Sequence, residues 1–298
     1  MLRCFMAPVV GILRRMMKST DAKCEKGKTL PGGVTEYADL SYGPCGAAGM
    51  LDVYAPEGAS GLPVIFDVHG GGLVYGCKEL NKRFCYALAL RGFAVVSINY
   101  RLAPAVTFPE QLRDVTAAMR WTAENIRSYG GDAERAYLCG DSAGALLAMY
   151  AGAISASDEL QKAFGNEGSG LRPRACFYVS GLYDLRTKNY IKHLCSYACG
   201  RGYKKSAWYP YTDLGALADA APLPPLFLTS SDEDMLADQT THFAEFLRAR
   251  GAAFEPDFRP KNADKNAHRY EHIYPVKHPE WEECAELIDR ACAFMRRY

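Results

Sequence analysis

At 298 residues and 49% hydrophobic composition, the chain can bury a large core, and the absence of internal repeats, low-complexity tracts or a Pro/Gly/Ser linker favours one domain with insertions. With 35 basic and 34 acidic residues the formal net charge is +1, which argues against a nucleic-acid surface and leaves no electrostatic hint about a substrate. The 11 cysteines are scattered through apolar segments with no C-x-x-C pair and no histidines at metal-ligand spacing, so free thiols in a reducing compartment, the cytoplasm, are expected.

Residues 1–18 are apolar and basic, with most of the charge (Arg14, Arg15) after the apolar run. A signal peptide carries its charge before that run, and about ten apolar residues are too few to span a bilayer. The segment is expected to be a helix packed over the body, with no integral membrane association, followed by a polar, loop-like stretch over 18–33. Residues 34–42 and 50–54 read as an antiparallel edge. The near-continuous apolar run 63–69 reads as a strand buried on both faces, and Gly70, Gly71 and Gly72 follow it directly. A helix over 86–90, a buried strand over 93–98 and an amphipathic helix over 115–129 lead to a strand over 136–139.

Beyond it stands Gly140-Asp141-Ser142-Ala143-Gly144, then the small-residue helix Ala145-Leu146-Leu147-Ala148-Met149. Strand, Gly-x-Ser-x-Gly and helix together are the context of a nucleophile elbow. The glycines leave space where a Cβ would strike the neighbouring strand or helix, and the helix N-terminus aims N–H groups at charge forming near Ser142. Further strands are expected over 176–179, 225–229 and 254–258, with helices over 236–250 and 281–295. Residues 183–211, rich in Tyr, Lys and Cys, break the rhythm. Strand–helix alternation of this length implies a mostly parallel sheet covered on both faces, with ligands at the carboxyl ends of its strands.

A serine hydroxyl needs a base to remove its proton, and the base needs an orienting acid. In this architecture the order is Ser, Asp or Glu, then His. Downstream of Ser142, the candidate acids Asp232, Glu233, Asp234 and Asp238 follow the strand ending at Thr229. The candidate bases His268, His272 and His278 follow the next strand.

His69-Gly70-Gly71-Gly72, Asn99-Tyr100-Arg101-Leu102-Ala103-Pro104, Tyr129-Gly130-Gly131-Asp132 and Gly140-Asp141-Ser142-Ala143-Gly144 together resemble the hormone-sensitive-lipase-like branch of the α/β-hydrolases. The match is strong over 64–144 and looser in the C-terminal third. The resemblance implies an eight-stranded, mostly parallel sheet in a single domain, capped by residues 1–33 and the 183–211 insert. It implies Ser142 as nucleophile and Asp234 as acid, with Met235 where the family has Pro and Asp232 as rival. It implies His268 as base, with His272 the alternative and His278 at the surface.

The same resemblance makes the N–H groups of Gly71, Gly72 and Ala143 the oxyanion donors. His69 and Asp141 become braces, and Tyr100-Arg101 a tie for the following loop. Tyr75 and Trp208 are wall candidates for the substrate, with Tyr190, Tyr197, Tyr203 and Tyr209 lining the cap or packing it. Ala145 stands where the family usually has Gly. The function so implied is a cytoplasmic serine carboxylesterase acting on short- to medium-chain acyl esters through an acyl-enzyme. It needs no metal or organic cofactor, and its partners are a small-molecule ester and, by family expectation, a second copy in a homodimer. Alternatives on the same triad are amide or formamide hydrolysis, sugar-ester deacetylation and interfacial lipolysis; the alternative from another class is a non-catalytic small-molecule-binding protein.

Overall fold

In the computed structural model, which describes residues 2–187, 191–264 and 267–298 with side chains from residue 6 onward, the chain opens with helix α1 (Leu2–Glu25). The helix runs on through the stretch expected to be a loop after residue 18. Its polar end finds partners on the body: Glu25 accepts from Arg83, and Gly27, at φ +75°, lies just past the end. There follow β1 (Val34–Ser41), β2 (Met50–Pro56), β3 (Leu62–Val68), α2 (Lys82–Ala89), β4 (Ala94–Ile98) and α3 (Phe108–Asn125). Next come β5 (Gly131–Asp141), α4 (Ala143–Ala156), α5 (Asp158–Phe164), β6 (Pro173–Val179), α6 (Lys192–Cys199) and α7 (Leu214–Ala220). The chain closes with β7 (Leu226–Ser231), α8 (Ala237–Ala249), β8 (Phe254–Arg259), α9 (Tyr274–Lys277) and α10 (Glu282–Met295).

The eight strands form one sheet in the order β1-β2-β4-β3-β5-β6-β7-β8. As the patterning predicts, β1 and β2 make an antiparallel edge, β2 also pairs antiparallel with β4, and every pair from β4 onward is parallel. Alternation along β3 explains its near-continuous apolar run, interrupted by Asp67: Val64, Phe66 and Val68 join the core under α3, α4 and α8, while Ile65 joins the core under α2 and α10.

Helix α3 begins earlier than its apolar period indicates. Thr107 and Glu110 form a capping box, and Pro109 occupies the first turn, where its missing N–H costs nothing. The aperiodic insert contains α6 and short 3₁₀ turns, held by Trp208 against Phe164 and Phe108. Tyr190 lies outside the described residues. Among the described residues no helix is long and apolar enough to cross a membrane.

Candidate active site

Four parallel strands deliver the site at their carboxyl ends: β3 into Gly70–Gly72, β5 into Ser142, β6 into Ser180, and β7 into Asp234. Ser142 is held at φ 52°, ψ −121° between β5 and α4. Its N–H donates to Val179 O and its carbonyl accepts from Leu182 N, each at 2.9 Å, so the strained turn is tied on both sides. The flanking glycines are needed for clearance. A Cβ at Gly144 would stand 1.9 Å from Val68 O, and one at Gly140 would stand 2.7 Å from Gly144 C. Ala145 is fully buried in the core beneath.

The histidine that meets Ser142 is His272. Its Nε2 lies 2.9 Å from Ser142 Oγ and its Nδ1 lies 2.7 Å from Asp234 Oδ1. A carboxylate only accepts, so the proton belongs on Nδ1, which leaves Nε2 free to accept from the serine hydroxyl. The Asp234 side chain is fully buried. Burial acts to raise its carboxyl, but the His272 hydrogen bond and charge, with bonds from Ser180 and Leu236 N, outweigh that and hold it below its ordinary value. Ser230 Oγ adds a further donor to Oδ2 at 2.8 Å.

The expectation that His268 is the base is corrected by this geometry. His268 stacks flat on Trp281, with ring centroids 3.8 Å apart, and its Nδ1 is 3.5 Å from Glu283 Oε2. The segment after β8 is pinned at Tyr270, whose carbonyl accepts from Ser231 Oγ and whose N–H donates to Glu233 Oε2. It then reverses at Ile273, φ 56°, whose N–H donates to Ser180 Oγ at 3.1 Å. Those ties put His272 over Asp234 and leave His268 at the α10 end. His278 stacks on the same Trp281 and faces Lys28. Asp232 is occupied elsewhere, accepting from Lys261 N at its carboxylate.

Ser180 was not singled out by the sequence. It is itself at φ 51°, and its hydroxyl accepts from Ile273 N, the backbone next to His272. The signal was its place, a serine closing a buried strand at the ligand-bearing edge.

Gly71 and Gly72 stand at φ 110° and 61°, and a Cβ at Gly71 would lie 2.0 Å from Tyr75 O. Their N–H groups, and that of Ala143, meet no acceptor among the described residues. Behind them Asp141 Oδ1 accepts from Gly70 N at 3.0 Å and from Asn81 Nδ2 at 2.9 Å. The His69 ring stacks on Tyr100 and its Nδ1 faces Gly70 O at 2.7 Å; burial pushes its pKa down to about 4, so it is a neutral brace. Arg101 grips Asp114 with two nitrogens, at 2.7 Å and 2.9 Å, which ties the loop to α3.

Tyr75 lines a cavity of about 50 Å³ shared with Gly70, Gly71, Met17, Asp141 and Ile273. Trp208, expected as a substrate wall, is instead only 7% exposed, its indole taken up by Phe164, Phe108 and Tyr203. Tyr197 is buried, and Tyr209 lies under the Arg186 guanidinium. The side chain that reaches the glycine turn from the insert is Leu194 of α6, 2.8 Å from where a Gly72 Cβ would stand.

A buried acid, an imidazole and a serine in hydrogen-bonded series, beside unclaimed amides on an eight-stranded sheet, define a hydrolase scaffold. A family model described as the alpha/beta hydrolase fold matches residues 65–261. Esterase LipQ of Mycobacterium tuberculosis is 32% identical over 245 residues, 75% of this chain and 56% of LipQ, so the chain spans little more than half of that relative. Carboxylesterase NlhH of the same organism is 30% identical over 236 residues, 72% of this chain and 71% of NlhH. Esterase B from Lactobacillus rhamnosis shares the fold at a TM-score of 0.90, with 24% identity over 98% of this chain and 96% of that one. The chain belongs to the α/β-hydrolase fold family, in its hormone-sensitive-lipase-like branch.

Proposed function

We propose that the protein is a serine carboxylesterase working through an acyl-enzyme, with Ser142 as nucleophile, His272 as base and Asp234 as the orienting acid. The observation that carries this reading is the unbroken series Asp234–His272–Ser142 at 2.7 Å and 2.9 Å, on a serine held in a strained turn. Ser142 Oγ attacks the ester carbonyl as Nε2 of His272 takes its proton. The imidazolium is held by Asp234 and returns the proton to the departing alcohol. A water then follows the same path, deprotonated by His272, and releases the acid.

The charge that builds on the carbonyl oxygen falls to the N–H groups of Gly71, Gly72 and Ala143, whose freedom from other acceptors supports this role. Helix α1 and the 183–211 insert form the cap in this reading, supported by Leu194 against Gly72. Short- to medium-chain acyl esters are the proposed substrates. A scaffold kept only for binding has no use for the intact series, which favours chemistry. The described cysteines from Cys24 onward are all free, which fits the cytoplasm. Homodimer formation stands as the family expectation, to be read by light scattering.

Hydrolysis of p-nitrophenyl esters from acetate to palmitate tests the assignment. Wild type should cleave the short esters, and Ser142→Ala and His272→Ala should each lose about 10⁴-fold or more in kcat. His268→Ala should keep nearly all of it. Activity lost with His268 and kept without His272 would sink the assignment.

A further inference from the structure

The glycine turn that carries two of the proposed oxyanion donors keeps positive φ over three consecutive residues, the last of them a leucine. Gly71, Gly72 and Leu73 stand at φ 110°, 61° and 67°. A leucine in the left-handed region persists only where its surroundings hold it there. From inside, Gly71 O accepts from Val74 N at 3.2 Å and Tyr75 N at 3.0 Å. Leu73 O accepts from Ala103 N at 3.0 Å and Gln111 Nε2 at 2.9 Å.

The next carbonyl, Val74 O, is taken by a residue far away in the chain. Arg14 of α1 donates from Nε to Val74 O and from Nη2 to Ala103 O, each at 2.7 Å. One guanidinium thus fastens the glycine turn to the loop behind it. Asp21, two turns further along the same face of α1, lines the same small cavity as Tyr75, the very next residue of the turn. Helix α1 therefore meets two adjacent residues of the turn and bonds the first of them through Arg14.

The planar fork of arginine suits this task. Two carbonyls approached from one planar group need donors fixed relative to each other, which an ammonium on a flexible stem does not supply. Nor is the contact ordinary helix packing, because Arg14 spends its charged head on two main-chain oxygens beside the site.

We propose that Arg14 is a positioning residue for ester hydrolysis: through Val74 O and Ala103 O it holds the glycine turn so that the Gly71 and Gly72 N–H groups aim at the developing oxyanion. The inference rests on the esterase reading above. A small misplacement of oxyanion donors costs turnover far more than it costs substrate binding.

The test is steady-state hydrolysis of p-nitrophenyl butyrate by wild type, Arg14→Ala, Arg14→Met and Arg14→Lys, with amide exchange measured at Val74 and Tyr75. Arg14→Ala should lower kcat about 10- to 100-fold with KM changed by no more than about threefold, and should speed exchange at both amides. Arg14→Lys, able to reach one carbonyl, should recover part of the loss. Should Arg14→Ala fail to fold, Arg14→Met, which keeps the apolar stem without a donor, carries the same comparison. A kcat within about twofold of wild type in folded Arg14 variants would overturn the inference while leaving the esterase reading intact. A wild type inert toward every ester would end both, and the wild-type control alone shows which has failed.

Discussion

Gly144 sits where the first turn of α4 passes the end of β3, close enough that an added methyl carbon would lie 1.9 Å from Val68 O and 2.6 Å from His69 O. Both obstacles are backbone, so neither can swing aside. Gly144→Ala should therefore destabilise by about 1–3 kcal/mol or more and shift Ser142 out of reach of His272. Thermal unfolding and p-nitrophenyl acetate turnover should fall together; a variant with wild-type activity would show that the elbow tolerates a side chain. This requirement was legible in the sequence, because Gly-x-Ser-x-Gly between strand and helix states where the chain must pass closely. The base was not. His268 and His272 lie in an irregular stretch after β8 where no period fixes orientation. What decides between them is a set of polar ties from other strands, Ser231 to Tyr270 O, Glu233 to Tyr270 N and Ser180 to Ile273 N, none visible as a local pattern.

At the scale of elements, legibility followed the source of each element's stability. β3 and β4, buried on every residue but the first two of β3, could be read from apolar runs alone. The α3 start could not be read from the apolar period, because its first turn is set by a capping box: Thr107 N–H and Oγ1 both donate to Glu110 Oε2 at 2.7 Å. Thr107→Ala removes the hydroxyl of that box and should cost about 1 kcal/mol in urea unfolding, with little change in kcat, since α3 packs behind the site. A loss of turnover larger than the loss of stability would mean that the cap also steers the adjoining loop. The second half of α1 is not legible as a helix for a related reason. Its sequence is polar, and the helix is carried there by tertiary bonds from Arg83 to Glu25.

Over the whole molecule, strand order and site share one construction: the parallel strands that make the core also end at the chemistry, so a group buried mid-strand near the site bears on the stability of everything. Asp67, on central strand β3, is such a group. It is fully buried, accepts from Asn81 Nδ2 at 3.0 Å and Ser97 Oγ at 3.3 Å on one oxygen, and its other oxygen meets no partner among the described residues. Burial, reinforced by the charge of Asp141, pushes its pKa up to about 7 against the bonds from Asn81, Ser97 and Cys85. In the unfolded chain the same carboxyl releases its proton near pH 4. Between about pH 4 and about pH 7 the folded protein therefore holds a proton that the unfolded chain has lost, and stability must fall as pH rises through that window. Asp67→Asn is neutral at every pH and carries no such slope. In urea unfolding, wild type should lose on the order of 2 kcal/mol more than Asp67→Asn between pH 5 and pH 8, the other titrating groups being common to both. Parallel profiles for the two proteins would mean that Asp67 is already ionised in the folded state at pH 5, and that the Asn81 bridge to Asp141 binds two negative carboxylates beside the nucleophile.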